Sequence, residues 1–163
     1  MYKRFYVAQK PRKTPTYQYR PREYNFLKYW RVVKYYIKEK YQISGTELDM
    51  ILFLYDEKLF TKDLFNGFAK TMSWDKSRFS SMVKSGYIKK WRDRKESQRS
   101  NLYELTIKSK RICNHLYKKL MQEEIISENP YRNEIFKGKS YMDKIYKDVI
   151  KKMNSKTQSR IDE

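Results

Sequence analysis

One segment in the second half of the chain constrains the fold more than any other, because its hydrophobic pattern is not helical. Tyr87–Trp91 and Leu102–Thr106 are short runs in which Ile88, Tyr103 and Leu105 would face the core, and the polar stretch RDRKESQRSN lies between them. Two such runs around a polar stretch predict a β-hairpin. Gly86 precedes the first run and suits the left-handed position at which helices commonly end. The sequence therefore predicts a helix that ends at Gly86 and a hairpin that follows it.

The rest of the chain from Tyr24 to Met153 carries helical signals. Apolar side chains recur every three or four positions, first at Phe26, Trp30, Val33, Ile37 and Tyr41. The capping box SGTE (Ser44–Glu47) marks a helix start, and Pro130 marks a helix end. The predicted helices are residues 24–41, 44–55, 61–68, 73–85, 106–129 and 140–153. The predicted fold class is mainly α with a small β-hairpin.

The two ends of the chain differ in composition from the middle. Residues 1–22 contain seven Lys or Arg and no acidic residue, and Pro11, Pro15 and Pro21 prevent a continuous helix there. We interpret residues 1–22 as an extended basic arm, although a merely solubilising tail is the alternative. The candidate nucleic-acid contacts of the arm are Arg12, Lys13, Arg20 and Arg22. Residues 23–154 are predicted to form one domain, and residues 155–163 a polar tail.

The net charge of the chain limits the classes of molecule that it is expected to bind. The chain of 163 residues has a formal net charge of +19 and contains 16 Tyr, 3 Trp and 8 Phe. Disordered polycations contain few aromatic residues, so this composition predicts a folded basic protein. A charge this large needs an anionic partner, most commonly a nucleic acid, with an acidic membrane surface or a ribosome as the alternatives.

Targeting signals are also absent from the sequence. No apolar run is long enough to span a membrane, and the N-terminus lacks the apolar stretch of a secretory signal. We therefore expect a cytoplasmic protein associated with the nucleoid. Many Lys, Tyr, Asn and Ile residues with only 4 Gly suggest an AT-rich genome such as that of a phage. A phage-encoded protein would lie in the host cytoplasm or the virion.

Few residues offer catalytic or metal-binding chemistry. Cys113 is the only cysteine and His115 the only histidine, so the chain can form neither an internal disulfide nor a zinc site of several Cys and His ligands. Cys113 is expected to be buried in a helix, and His115 to be a packing or surface residue. The sequence has no P-loop and no dinucleotide-binding glycine motif. We therefore predict no enzyme activity, no metal site and no cofactor.

The predicted elements follow the order of a winged helix-turn-helix with extra N- and C-terminal helices. Within it, TKDLF, DKSRFSSMVKSGYI and RDRKESQRSNLYELTIKSKRICNHL resemble parts of the MarR family of dimeric transcriptional regulators. These segments correspond to the first helix of the turn motif, the recognition helix, and the wing with the long helix after it. The resemblance extends from Tyr24 to Met153 and is most specific over Asp75–Ser109. It implies a homodimer formed by the terminal helices, with the wing in the minor groove.

Helical spacing and hairpin position select the candidate DNA contacts. In the recognition helix, the side chains on the faces not used by Phe79, Met82 and Val83 are Lys76, Ser77, Arg78, Ser80, Ser81 and Lys84. In the wing, the candidates are Arg92, Arg94, Lys95 and Arg99, with Lys89, Lys90, Lys108 and Lys110 as further phosphate contacts. Arg78 suits a bidentate contact to guanine in the major groove, and arginines suit a narrow minor groove. A solvated basic surface is the alternative for each of them.

The leading hypothesis is a homodimeric transcriptional regulator that binds double-stranded DNA in a sequence-specific manner. One alternative is a replication initiator on the same fold. A second is a phage protein that compacts nucleic acid or belongs to the virion, and that binds with little sequence preference. A third is an RNA- or ribosome-binding protein that stacks bases on Tyr17 and Tyr19. Fold alone does not decide between these functions.

Overall fold

The computed structural model describes residues 26–72, 74–92 and 100–161. The helices are α1 (Phe26–Tyr41), α2 (Gly45–Phe53), α3 (Lys62–Met72), α4 (Arg78–Lys84), α5 (Ile107–Leu120), a 3-10 helix (Glu134–Lys137) and α6 (Tyr141–Ile161). The strands are β1 (Ile88–Arg92) and β2 (Leu102–Leu105). The predicted class, mainly helical with a small antiparallel hairpin, is confirmed. The basic arm and residues 93–99 of the hairpin lie outside the described residues.

Side-chain caps start four of the helices at the predicted places, which are Ser44, Thr61, Thr106 and Ser140. The Ser44 hydroxyl accepts from the Glu47 backbone N–H at 3.2 Å, and the Glu47 carboxylate accepts from the Ser44 N–H at 3.1 Å. The Thr106 hydroxyl caps α5 by accepting from the Ser109 N–H. Caps of this kind stabilise a helix by roughly 0.5–2 kcal/mol. Gly86, with φ of +72°, takes the left-handed position expected between α4 and β1.

The hairpin is irregular, and a third segment extends it. Its register pairs Ile88 with Leu105, Lys89 with Glu104, Lys90 with Tyr103 and Arg92 with Leu102. Trp91 is therefore an additional residue in a β-bulge. On the other side of β2, Phe60 and Tyr103 exchange two backbone hydrogen bonds of 3.0 and 2.9 Å. Three chain segments thus lie side by side in the order Phe60, β2, β1.

The core lies between the long helices and the hairpin. Helix α1 packs on α5, α6 and the 3-10 helix, α2 packs on α5, and α4 packs on β1. The largest fully buried side chains are Phe60, Phe65, Ile37, Leu48, Met50, Ile51, Leu54, Met82, Ile88, Leu105, Ile112 and Leu116. Each of them stabilises the folded state by about 1.5–3 kcal/mol relative to an exposed position.

The long helix ends earlier than predicted. Helix α5 stops at Leu120 rather than near Pro130, because Gln122 adopts a left-handed conformation with φ of 60°. Lys119 is almost completely buried, and its ammonium group donates to the Ile125 carbonyl at 2.7 Å and to the Glu124 carboxylate at 2.9 Å. These contacts hold the chain that leaves α5 against the helix end.

The last helix ends later than predicted. Helix α6 continues to Ile161, so residues 155–161 are helical and the interpretation of 155–163 as a polar tail is wrong for them. Two polar side chains in this part of α6 are buried, whereas Ser155, Lys156, Gln158 and Ser159 are exposed. The Asn154 amide exchanges hydrogen bonds of 2.9 and 2.8 Å with the Ile126 backbone, and the buried Thr157 hydroxyl donates to the Met153 carbonyl at 3.0 Å.

Candidate nucleic-acid interface

Helix α4 is anchored by two side chains on its inner face. Phe79 and Met82 are 4% and 1% exposed. The Phe79 ring packs edge-on against Phe65 of α3, at 5.2 Å between centroids, and against Tyr103 of β2, at 4.8 Å. Val83, predicted to share this apolar side, is 38% exposed instead. The orientation of α4 relative to α3 and the hairpin is therefore fixed mainly by Phe79.

The turn before α4 is also organised by an aromatic side chain. Trp74 stacks on Phe65 at 5.8 Å and meets Phe53 of α2 edge-on at 5.7 Å. Its backbone N–H donates to the Ala69 carbonyl at 2.9 Å, which closes α3. Helix α4 begins at Arg78, later than the predicted start near Ser73, a residue outside the described part. Sequence reasoning missed Trp74, although an aromatic residue just past a helix end was a visible signal.

The candidate contact residues of α4 face away from the core. Lys76 and Ser77 precede the helix, Arg78, Ser80, Ser81 and Lys84 lie within it, and all six are exposed. The Asp75 carboxylate accepts from the Ser77 backbone N–H at 3.0 Å. Hydrogen bonds from Ser77 and the nearby charge of Arg78 lower the pKa of Asp75. The exposed surface of α4 therefore combines two serine hydroxyls with the cations Arg78 and Lys84.

An ion-pair cluster lies on the hairpin. The Glu104 carboxylate binds the ammonium group of Lys89 at 3.0 Å and that of Lys110 on α5 at 3.1 Å. The hydrogen bonds from Lys89 and Lys110 lower the pKa of Glu104. Two of the predicted phosphate contacts are therefore paired with a carboxylate, and the cluster has a net charge of +1. Lys108, a third candidate, lies with its ammonium group 4.6 Å from the Tyr87 ring centroid.

The end of β1 brings a tryptophan and an arginine together. The Trp91 side chain is 50% exposed, and the Arg92 guanidinium carbon lies 5.2 Å from the centroid of its ring. The Arg92 Nε is buried and has no hydrogen-bond partner within the described part of the chain. Arg92 is thus half-buried at the predicted site, whereas Arg94, Lys95 and Arg99 lie outside the described residues. Sequence reasoning missed Trp91, because strand alternation does not reveal a bulge.

Cys113 and His115 are packing residues. Burial raises the pKa of Cys113 to about 12, and its Sγ donates to the Ile51 carbonyl at 3.6 Å. The His115 Nδ1 lies 3.1 Å from the Tyr41 hydroxyl. Burial, together with the charge of Lys40, lowers the pKa of His115 to about 4. Among residues 26–72, 74–92 and 100–161, no cluster of His, Cys, Asp or Glu could hold a metal ion, and no helix could cross a membrane.

The chain matches no protein-family model, no curated protein and no solved structure. The resemblance to the MarR family therefore stays a prediction.

Proposed function

We propose that the chain is a winged helix-turn-helix protein that binds double-stranded DNA, reads its sequence with α4 and regulates transcription as a homodimer. The observation that carries this proposal is the two-sided character of α4. Phe79 and Met82 fix the helix on the domain, while Arg78, Ser80, Ser81 and Lys84 project outward from it. Every side chain on that outer surface except Val83 can donate hydrogen bonds to a base edge or a phosphate.

The Phe60–Tyr103 pairing supports the winged-helix part of the proposal. In chain order the elements are α2, the bridging residue Phe60, α3, α4, β1 and β2, and the segment at Phe60 lies next to β2 rather than β1. A sheet of this order ties the start of α3 to the hairpin, so α3, α4 and the hairpin form one rigid unit. A rigid unit positions a reading helix more accurately than a loop does.

The mechanism assigns different roles to the two basic surfaces. Helix α4 would enter the major groove, where Arg78 can donate two hydrogen bonds to guanine, a contact worth about 1–3 kcal/mol of discrimination. The hairpin would lie along the backbone and the adjacent minor groove, where its cations add affinity without reading sequence. Lys76 and Lys84, at either end of α4, would contact phosphates.

Exposed apolar side chains on α1 and α6 support the homodimer. Leu27 is 85% exposed, and on α6 Tyr141, Met142 and Ile145 are 76%, 37% and 40% exposed. Met142 and Ile145 lie beside Asp143 and Tyr146, which contact Tyr35 of α1, so these exposed apolar side chains border the contact between α1 and α6. A second copy of the chain would bury these side chains in a two-fold interface. Two α4 helices would then meet half-sites about 34–36 Å apart.

The proposal is tested by selecting bound duplexes from a random pool and titrating the winner against a scrambled duplex at several salt concentrations. A regulator of this kind selects a pseudo-palindrome and prefers it by roughly 10³-fold or more. Equal binding of both duplexes with the same salt dependence would reject sequence reading.

A second candidate function is charge-driven compaction of nucleic acid. It is favoured by the net charge of +19 and by Lys151, Lys152 and Lys156 on α6, which are exposed and form no ion pair with any described residue. Compaction predicts similar affinity for every duplex and binding that weakens steeply with salt. In that case Arg78→Ala and Lys151→Ala should weaken binding by similar factors.

A further inference from the structure

One tryptophan, Trp91, is exposed on the hairpin at a position that has no partner in the strand pairing. Of the three tryptophans, Trp30 and Trp74 pack against the core, whereas Trp91 is 50% exposed. Trp91 is also the additional residue of the bulge, since Lys90 pairs with Tyr103 and Arg92 already pairs with Leu102. A bulge redirects a side chain out of the regular alternation of a strand. The indole is therefore presented to solvent at the end of β1.

The guanidinium group of Arg92 lies against the ring of Trp91. The guanidinium carbon of Arg92 lies 5.2 Å from the ring centroid, within the range of a cation–π contact. This contact restrains the ring, so that less conformational entropy is lost when the ring binds a further planar group. The exposed half of the residue remains accessible, and the neighbouring Lys90 is also exposed. An ordered aromatic ring next to basic side chains is the arrangement on which unpaired nucleobases stack.

We propose that Trp91 stacks on an unpaired base, and that the hairpin therefore favours DNA in which a single strand adjoins a duplex. This inference rests on the proposed binding of duplex DNA by α4. Within an intact duplex both faces of each internal base are already stacked, and removing such a base from the stack costs a few kcal/mol. Trp91 should thus contribute little on a blunt duplex and more where a base is unpaired.

The experiment compares one fixed blunt duplex with the same duplex extended by a single-stranded tail. Both are titrated with the wild-type chain, Trp91→Ala and Trp91→Phe. Tyr131→Ala is the control, because Tyr131 is 94% exposed and lies outside the hairpin. Thermal unfolding and sedimentation of each variant check that the fold and the oligomeric state are unchanged.

Loss of a stacked aromatic residue lowers affinity by roughly 5- to 150-fold. We expect a loss in this range for Trp91→Ala on the tailed duplex, a smaller loss for Trp91→Phe, and changes within about twofold on the blunt duplex. Equal losses on the two duplexes, or no loss on either, would overturn the proposal. A changed sedimentation coefficient with unchanged preference for the tail would also overturn it, because Trp91 would then be a contact to another protein chain.

A further variant separates this inference from the proposed function. If Arg78→Ala leaves blunt-duplex affinity unchanged while Trp91→Ala still weakens binding to the tailed duplex, the role of α4 is rejected and the stacking role stands. If Arg78→Ala weakens duplex binding and Trp91→Ala changes nothing, only the stacking role is rejected.

Discussion

Phe79 and Tyr103 pack edge to face with their ring centroids 4.8 Å apart, and this contact joins α4 to the hairpin. Phe79 also packs edge-on against Phe65, in the first turn of α3, at 5.2 Å between centroids. The candidate reading helix, the hairpin and the start of α3 therefore share one small aromatic cluster. A substitution in this cluster should therefore change both the stability of the domain and its affinity for DNA.

Replacement of Phe79 with alanine tests the cluster. Removing a buried phenylalanine costs about 3–5 kcal/mol, because the cavity that remains cannot fully collapse. We expect a loss of this size in the free energy of unfolding, measured by urea denaturation. Val83→Ala is the matched control on the same helix, since Val83 is 38% exposed and should change the free energy by about 0.5 kcal/mol or less. Equal effects of the two substitutions would show that Phe79 does not anchor α4.

Glu104→Gln should strengthen DNA binding. The substitution removes the carboxylate that binds Lys89 and Lys110, so both cations become available to phosphates. Each additional phosphate contact changes the slope of log affinity against log salt by about −0.9, and the salt dependence should therefore become steeper. Glu134→Gln is a matched control, because Glu134 also binds two lysines, Lys137 and Lys139, but lies on the 3-10 helix. A similar gain in the control would mean that net charge alone explains the effect.

The lowered pKa of His115 predicts that the free energy of unfolding depends on pH. The pKa of His115 is lowered to about 4 in the folded protein, compared with about 6.5 when unfolded. Between these values the unfolded state binds a proton that the folded state does not, so stability falls as pH drops from about 6.5 to about 4. The half-buried ring should account for roughly 1–2 kcal/mol of this loss. Denaturation at several pH values should show a smaller slope in His115→Gln; an unchanged slope would exclude His115 as its source.

The proposed dimer predicts that charges on the exposed faces of α1 and α6 give monomers. Leu27→Asp and Ile145→Asp would place carboxylates in the apolar interface, where an unpaired charge is strongly unfavourable. Analytical ultracentrifugation should show dimers of the wild-type chain and monomers of either variant. Ile107→Asp is the control, since Ile107 is 67% exposed but lies at the start of α5. A wild-type chain that remains monomeric at high concentration would contradict the dimer.

The parts of the fold that local signals encode were predictable. The capping box at Ser44, the cap at Thr106 and the glycine at Gly86 each specify backbone geometry within a few residues, and the structure has all three. The outward-facing residues of α4 also follow from helical spacing. Two predictions for that helix were nevertheless wrong, because Val83 is exposed and the helix starts at Arg78.

The features that depend on long-range contacts were not predictable. Gln122 is not a residue type that usually ends a helix, and its left-handed conformation accompanies the burial of Lys119 nearby. Asn154 and Thr157 are polar, yet they are buried because each finds a hydrogen-bond partner. The pairing of Glu104 with Lys89 and Lys110 depends on the strand register and on the position of α5. Neither of these can be read from spacing along the chain.

The most direct measurement is the affinity of the wild-type chain, Arg78→Ala and Lys151→Ala for the selected duplex and for a scrambled one. Lys151 is an exposed cation on α6, so the two variants lose the same charge. The proposed mechanism predicts that Arg78→Ala loses about 1–3 kcal/mol on the selected duplex and much less on the scrambled one. Lys151→Ala should leave the preference unchanged. An equal loss by both variants on both duplexes would contradict sequence reading by α4.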